Sequence, residues 1–103
     1  MPFDGSTYQV TTSPVTRMLV EGRQQLESGW CQNVMRQRGT VCMIGSLPIE
    51  DHAVFAETQG RLLAAICDLG YPHSSVPDFN DDSQRTQQQV LEVYDRAILQ
   101  AMV

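Results

Sequence analysis

The chain has 103 residues, of which 42% are hydrophobic and 18% are charged, and its formal net charge is −5. A chain of this length favours one hydrophobic core, because two cores would each fall near the size at which stability becomes marginal. The sequence contains no Lys and no surplus of basic residues. This composition argues against nucleic acid as a general partner, since binding depends on basic side chains that displace phosphate counterions.

The charge is unevenly distributed along the chain. Residues 1–38 carry four Arg and three acidic residues, a net of +1, whereas residues 39–103 carry three Arg and nine acidic residues, a net of −6. No stretch approaches the roughly 18 apolar residues that span a bilayer, and the first residues lack a basic region followed by an apolar run. Three cysteines without close pairing agree with a reducing compartment. We expect a cytoplasmic protein that makes no membrane contact.

Residues 1–13 are rich in Ser and Thr and show no sustained period, so they predict an N-terminal arm or a short edge strand. Residues 14–103 are predicted to form a single helical domain. Ser13 is a good N-cap and Pro14 suits a first helical position. We expect Gly29 to end this helix in the left-handed conformation. One face repeats at helical spacing and consists of Val15, Met18, Leu19, Gly22 and Leu26.

The pattern changes between Gly29 and Leu47. Trp30, Gln32 and Val34 alternate with their neighbours, which predicts two short strands joined at Arg38-Gly39, where glycine permits positive φ. The competing interpretation is a short helix over residues 32–37. A second short helical turn is predicted after residue 40, around Cys42.

Two more long helices complete the predicted fold. Asp51 is placed to cap a helix that runs to about Leu69 and ends at Gly70. Residues 71–82 are predicted to form a loop, and Thr86 with Gln89 forms a capping box for the last helix. The predicted fold is therefore mainly α, with three long helices in a small bundle and an irregular or β-hairpin segment around residues 30–47.

The sequence lacks a compact metal-binding or catalytic motif. The possible soft-metal ligands have no Cys-x-x-Cys spacing, and they are Cys31, Cys42, His52, Cys67 and His73. Their order, followed by Asn80, resembles a cysteine hydrolase in outline only. We therefore predict no catalytic residue, no metal and no cofactor, and we expect Cys67 to lie in the core as a small hydrophobic residue.

Acidic and amide side chains gather before the last helix. Asp78, Asn80 and Asp82 match positions 1, 3 and 5 of a calcium loop, but Ser83 stands where glycine is needed and Gln89 where a bidentate glutamate is needed. We expect instead that Asn80 or Asp82 accepts backbone N–H bonds and caps the helix that follows.

Trp30 and Arg85 are two further candidate residues. A single tryptophan in a small domain more often fills the core than forms an exposed binding anchor. Arg85 is expected to pair with Asp81 or Asp82 at the surface, where an ion pair contributes little stability.

Three groups of residues together resemble an uncharacterised family of small proteins from actinobacteria and their phages. They are Gly29-Trp30-Cys31-Gln32, then Cys42-x-x-Gly45-Ser46-Leu47, then Phe79-Asn80-Asp81 with Arg85-Thr86 before Val90. The resemblance covers roughly residues 15–100, although Phe79 stands where the family usually has tryptophan and an insertion before the Cys-x-x-Gly segment is shorter. It implies no activity. It does imply that the groups meet in space, with Asn80 and Asp81 bonding the backbone of the irregular segment as a structural latch or a binding site.

These observations predict a small protein-binding module of a phage or actinobacterium, acting as a regulator or inhibitor of a host protein. The predicted binding residues are Trp30, Cys31, Cys42, Asn80, Asp81 and Arg85. The first alternative is an enzyme or metal-binding domain that uses Cys31 or Cys42 with a histidine. The second is a structural homo-oligomer, a homodimer that exposes part of a helix stripe.

Overall fold

The computed structural model describes residues 13–48 and 51–102. Within them the elements follow in the order α1 (Pro14–Ser28), β1 (Arg36–Gln37), β2 (Thr40–Val41), α2 (His52–Asp68), α3 (Val76–Asp81) and α4 (Gln87–Ala101). The predicted mainly helical fold, with three long helices and a hairpin, is confirmed. The arm predicted for residues 1–13 lies outside the described residues except for Ser13.

The three long helices α1, α2 and α4 pack against one another and enclose the core. Every residue of the apolar face predicted for α1 is buried. The largest fully buried apolar side chains of these helices are Leu19, Leu26, Leu62, Ile66, Val90, Val93 and Tyr94. Burying one such apolar side chain contributes roughly 1.5–3 kcal/mol, so packing of these helix faces is the main source of stability.

The helix starts are set by local side-chain hydrogen bonds. Ser13 accepts a bond from the backbone N–H of the third residue after it, and Asp51 accepts bonds from Ala53 and Val54 at the start of α2. At the start of α4, Thr86 and Gln89 form the reciprocal capping box that the sequence predicted. Each cap satisfies backbone donors that have no partner within the helix.

Gly29 ends α1 in a different conformation from the one predicted. Its φ of 172° and ψ of 129° describe extended backbone, so the left-handed cap is wrong for this position. Glycine is needed there for space, because a Cβ on Gly29 would lie 2.9 Å from Cγ2 of Thr40. Gly70, after α2, does adopt positive φ as expected.

The hairpin turns at the predicted residues. Arg36 pairs with Val41, and the next pair encloses the two-residue loop Arg38-Gly39. Both loop residues have positive φ, at 52° and 83°, which is the geometry that matches the twist of a tight antiparallel hairpin. The competing helix over residues 32–37 does not form, and the strands are only two residues long.

The segment between α2 and α4 is more ordered than predicted. Residues 71–82 contain the short helix α3, so the predicted loop is wrong for Val76–Asp81. The Ser75 hydroxyl accepts a hydrogen bond from the backbone N–H of Asp78, and Pro77 occupies the first turn. Phe79 is buried and attaches this helix to the core. A serine cap followed by an early proline was the available sequence signal.

Candidate functional site

The segment that follows α1 lies beside β2 and extends the hairpin. Val41 donates its backbone N–H to Gly29 O, and Cys31 donates its backbone N–H to Val41 O, both at 3.0 Å. These two bonds form a parallel bridge between Trp30 and Val41. Because β1 pairs with the other edge of β2, β2 lies between β1 and the Trp30 segment.

The side chain of Asn80 continues this pairing where the two backbones separate. In a parallel ladder the next hydrogen bond would run from the Met43 N–H to the Cys31 carbonyl. Instead, Met43 N donates to Asn80 Oδ1 at 3.1 Å, and Asn80 Nδ2 donates to Cys31 O at 3.2 Å. The carboxamide therefore takes the place of a peptide group, and Asn80 is only 1% exposed.

Two further hydrogen bonds complete the polar contacts of Asn80. The indole Nε1–H of Trp30 donates to Asn80 Oδ1 at 2.8 Å, and Asn80 Nδ2 donates to Asp81 Oδ1 at 2.8 Å. Trp30 is half-buried and packs against the core, so it meets the predicted core position only in part. An amide offers two donors and two acceptor positions, so all the hydrogen-bonding capacity of Asn80 is used.

The end of α3 is joined to the irregular segment by two other side chains. Asp81 Oδ1 accepts the backbone N–H of Asn33 at 2.8 Å. Gln32 Nε2 donates to the backbone carbonyls of Asn80 at 3.0 Å and Asp82 at 2.8 Å. These carbonyls lie at a helix end, where backbone acceptors lack helical partners, and Gln32 supplies them. Asn80 and Asp81 thus bond the backbone of the irregular segment, as the family resemblance implied.

Arg85 is buried, contrary to the exposed ion pair that was predicted. Its side chain is 4% exposed and lies 3.7 Å from the Asp82 carboxylate. Its Nε donates to the Phe79 carbonyl at 2.9 Å, and its guanidinium carbon lies 3.7 Å from the centre of the Phe79 ring. The burial follows from this stacking, which covers the planar guanidinium while its N–H groups remain hydrogen-bonded.

Asp82 organises the turn between α3 and α4. Its Oδ1 accepts the Gln84 backbone N–H at 2.8 Å, and its Oδ2 lies 2.9 Å from His73 Nε2. The Gln84 hydrogen bond, followed by that of His73, lowers the pKa of Asp82 from its ordinary value. The expectation that Asn80 or Asp82 caps the next helix is wrong, because Thr86 is the cap.

Cys42 begins a single helical turn, as predicted. Ser46 N donates to Cys42 O at 2.9 Å, and Gly45 N donates to Cys42 Sγ at 3.3 Å. Gly45 rests directly on the Met35 carbonyl, which also accepts the backbone N–H of Cys42 at 3.0 Å. A Cβ at Gly45 would overlap that carbonyl, so only glycine lets the turn pack on the segment before β1.

Tyr94 of α4 fixes the same turn from inside the core. Its hydroxyl donates to Met43 O at 2.9 Å and lies 2.8 Å from the Ser46 hydroxyl. Burial raises the pKa of Tyr94, so the phenol stays protonated and available as a donor. The turn is thereby held by Asn80 on one side and by the helical bundle on the other.

A mainly apolar cleft of about 260 Å³ opens where this turn meets α3. Val34 is 46% exposed and Met35 is 51% exposed at its border. The full lining is Val34, Met35, Cys42, Ile44, Pro77, Asn80 and Asp81. Sequence reasoning missed Val34, Met35, Ile44 and Pro77; two adjacent apolar residues in an otherwise polar segment were the signal for the first two.

The predicted site residues therefore have two different positions. Cys42, Asn80 and Asp81 line the cleft. Trp30, Cys31 and Arg85 do not line it. Trp30 and Cys31 hydrogen-bond the Asn80 side chain, and Arg85 bonds the carbonyl of Phe79, the residue before Asn80 in α3.

The two half-buried cysteines make their hydrogen bonds with backbone groups. Cys42 Sγ accepts from Gly45, and Cys31 Sγ donates to Val34 O at 3.5 Å, whereas His73 bonds the Asp82 carboxylate. Within residues 13–48 and 51–102, no group of three His, Cys, Asp or Glu is placed to hold a metal ion. Cys67 is exposed, so its predicted core position is wrong.

The molecule is a small helical domain in which one buried asparagine joins a short sheet to a helix end. None of its described helices is long and apolar enough to cross a bilayer. Residues 10–100 match a family of unknown function (DUF6197), and the chain belongs to that family. No curated protein and no solved structure shows a significant match to the chain.

Proposed function

We propose that the chain is a protein-binding module that seats one apolar side chain of its partner in the cleft between the Cys42 turn and α3. The observation that carries this proposal is the exposure of Val34 and Met35 at the border of the cleft. Exposed apolar side chains beside a concave apolar surface are typical of protein interaction sites, because a partner removes both from water.

The size of the cleft supports a protein partner. At about 260 Å³ it is smaller than the roughly 300–1,000 Å³ of pockets that enclose drug-sized ligands. Its walls are already fixed by the Asn80 hydrogen bonds and by the packing of Gly45 on Met35. A preformed wall lowers the entropy that is lost when a partner side chain enters.

The charge around the cleft indicates the chemistry of the partner. Asp81 Oδ1 accepts bonds from Asn33 and Asn80, while its Oδ2 has no partner among the described residues. Asp78, exposed on the same helix but outside the cleft lining, is a second acidic group of α3. We therefore propose that the partner segment carries a Leu, Met or Phe next to an Arg or Lys, since complementary charge sets orientation and speeds association.

The biological setting belongs to the same proposal. A small acidic module with one anchor site fits a regulator or inhibitor of a host protein in a phage or an actinobacterium. The choice between these roles depends on the partner.

The experiment is selection of a random peptide library on the full chain, followed by calorimetry of the enriched peptides. We expect enriched sequences with one large apolar residue next to a basic residue. Met35→Ser should weaken their binding about tenfold, which corresponds to about 1.4 kcal/mol, a usual effect for an anchor-site residue. Asp81→Asn should reduce the preference for the basic neighbour.

Met102→Ser is the matched control, because Met102 is 62% exposed and lies at the end of α4, outside the cleft. The affinity of Met102→Ser for the enriched peptides should equal that of the unmodified chain. Absence of any enriched peptide, or equal weakening by the two Met substitutions, would contradict the proposal.

A further inference from the structure

The parallel bridge between Trp30 and Val41 sets Cys31 opposite Cys42. Opposite residues on neighbouring strands lie about 4.8 Å apart, and a disulfide joins Cα atoms that are about 4.4–6.8 Å apart. The Asn80 carboxamide separates the two backbones just beyond this pair, between Cys31 O and Met43 N. The Cα–Cα distance between Cys31 and Cys42 is therefore expected to lie in the upper part of the range that a disulfide spans.

The side chains of the pair lie on the same face. Trp30 and Val41 both pack toward the core, and successive side chains of extended backbone alternate, so Cys31 and Cys42 project away from it. Both are half-buried free thiols. Val34 lies beside both positions, because its carbonyl accepts a hydrogen bond from Cys31 Sγ at 3.5 Å and it lines the same cleft as Cys42.

We infer that Cys31 and Cys42 form a reversible disulfide and that this pair is a thiol–disulfide switch beside the cleft. The oxidant is a small disulfide such as glutathione disulfide. One cysteine thiolate attacks it and releases one glutathione thiolate, leaving a mixed disulfide on the protein. The second cysteine thiolate then attacks the protein sulfur and releases the second glutathione. The two protein thiols lose two electrons and two protons, and the glutathione disulfide is reduced to two thiols.

Oxidation changes the contacts that position the cleft wall. The Cys31 sulfur loses its proton and can no longer donate to Val34 O, and the Cys42 sulfur is drawn from the Gly45 N–H toward Cys31. The disulfide thus couples the redox state to the positions of Val34 and the Cys42 turn. Its formation does not depend on a partner, so it can be tested separately from the proposed binding.

The test uses the full chain with Cys67→Ser, which removes the exposed third thiol. After native incubation with glutathione disulfide, we expect an intact mass lower by two hydrogen atoms, no free thiols, and a peptide that links Cys31 to Cys42. Dithiothreitol should restore both thiols. Adding Cys31→Ser or Cys42→Ser should produce one glutathione adduct and no internal link. Two glutathione adducts, or two thiols that persist, would overturn the inference.

Amide NMR spectra of the reduced and oxidised Cys67→Ser chain test the coupling to the cleft. The amide signals of Val34 and Gly45 should move, while those of the exposed face of α2 should stay in place. A disulfide that forms without moving the Val34 and Gly45 signals would overturn the inference that this disulfide acts as a switch on the cleft.

Discussion

Replacing Asn80 by Ala removes the carboxamide that joins α3 to the hairpin. The substitution removes four hydrogen bonds of the Asn80 side chain, whose partners are Trp30 Nε1, Met43 N, Cys31 O and Asp81 Oδ1. The Met43 bond is buried, and those of Trp30 and Cys31 are partly buried. The space left by the amide lies between two backbone segments that otherwise separate at this point.

The cost follows from the groups left without partners. A buried donor or acceptor that loses its partner costs roughly 1–3 kcal/mol. Taking the middle of that range for Met43 N and less for the partly buried groups gives about 3–4 kcal/mol in total. Since 1 kcal/mol shifts the melting temperature of a domain of this size by roughly 4–8 °C, we expect a fall of more than about 10 °C.

Urea denaturation measures this cost directly, because Trp30 is the only tryptophan and reports both unfolding and its own hydrogen bond. Far-UV circular dichroism follows the helices in parallel. Gln88→Ala, at an exposed position of α4, is the control and should leave the free energy of unfolding unchanged. One orphaned buried group is expected to cost at least about 1 kcal/mol. A free energy of unfolding for Asn80→Ala that lies within about 1 kcal/mol of the value for the unmodified chain would therefore refute the latch role of Asn80.

Asn80→Asp tests the donor role of the amide separately from its acceptor role. The acceptor for Met43 and Trp30 is kept, but a carboxylate now faces Cys31 O and Asp81 in place of a donor. We expect destabilisation at neutral pH that is relieved as the pH falls, because a protonated carboxyl can donate again. Destabilisation that does not change with pH would contradict the donor role.

Three further outcomes are expected. Gly45→Ala places a Cβ against the Met35 carbonyl, so urea denaturation should show destabilisation of about 1–3 kcal/mol. Thr86→Ala removes the N-cap of α4 and should cost about 1 kcal/mol by thermal denaturation, whereas Thr86→Ser should be close to neutral. The pKa of Asp82 is lowered in the folded state, chiefly by the Gln84 N–H, so its contribution is present above the ordinary value of 3.8 and is lost as the pH falls through the lower folded pKa. The difference in unfolding free energy between the unmodified chain and Asp82→Asn should therefore be present at neutral pH and disappear in acid; a difference that grows in acid would refute this assignment.

The candidate site was only partly predictable. Cys42, Asn80 and Asp81 stand out as chemically distinctive residues, and the structure places them at one cleft. The apolar lining residues were not found, because Val34 looks like an ordinary strand residue until its exposure is known, and Ile44 is half-buried against the core. Their significance depends on which side chains the fold leaves uncovered, and the adjacent apolar pair Val34-Met35 was the one local signal of it.

Arg85 shows the same limit for electrostatics. Its place in the sequence next to acidic residues correctly indicated contact with Asp82. Its burial depends on the Phe79 ring and carbonyl, which reach it only because α3 folds back onto the turn before α4. An ion pair that looked like a weak surface contact is thus part of the packed framework.

The sequence by itself determined the features that depend on neighbouring residues. Ser13, Asp51 and Thr86 start helices because each side chain reaches backbone N–H groups two or three residues away. The Arg38-Gly39 turn follows from the same kind of local preference, since glycine adopts positive φ at no steric cost.

Only the tertiary structure decided which groups Asn80 bonds. Its partners Trp30 and Met43 lie 50 and 37 residues away in the chain. An asparagine side chain suits both a local helix cap and a long-range latch, so the residue type does not distinguish them. The choice between them is made when helix packing brings α3 to the opening between two backbone segments. There the carboxamide replaces a missing ladder hydrogen bond, because leaving the buried Met43 N–H and the partly buried Cys31 carbonyl unpaired is costly.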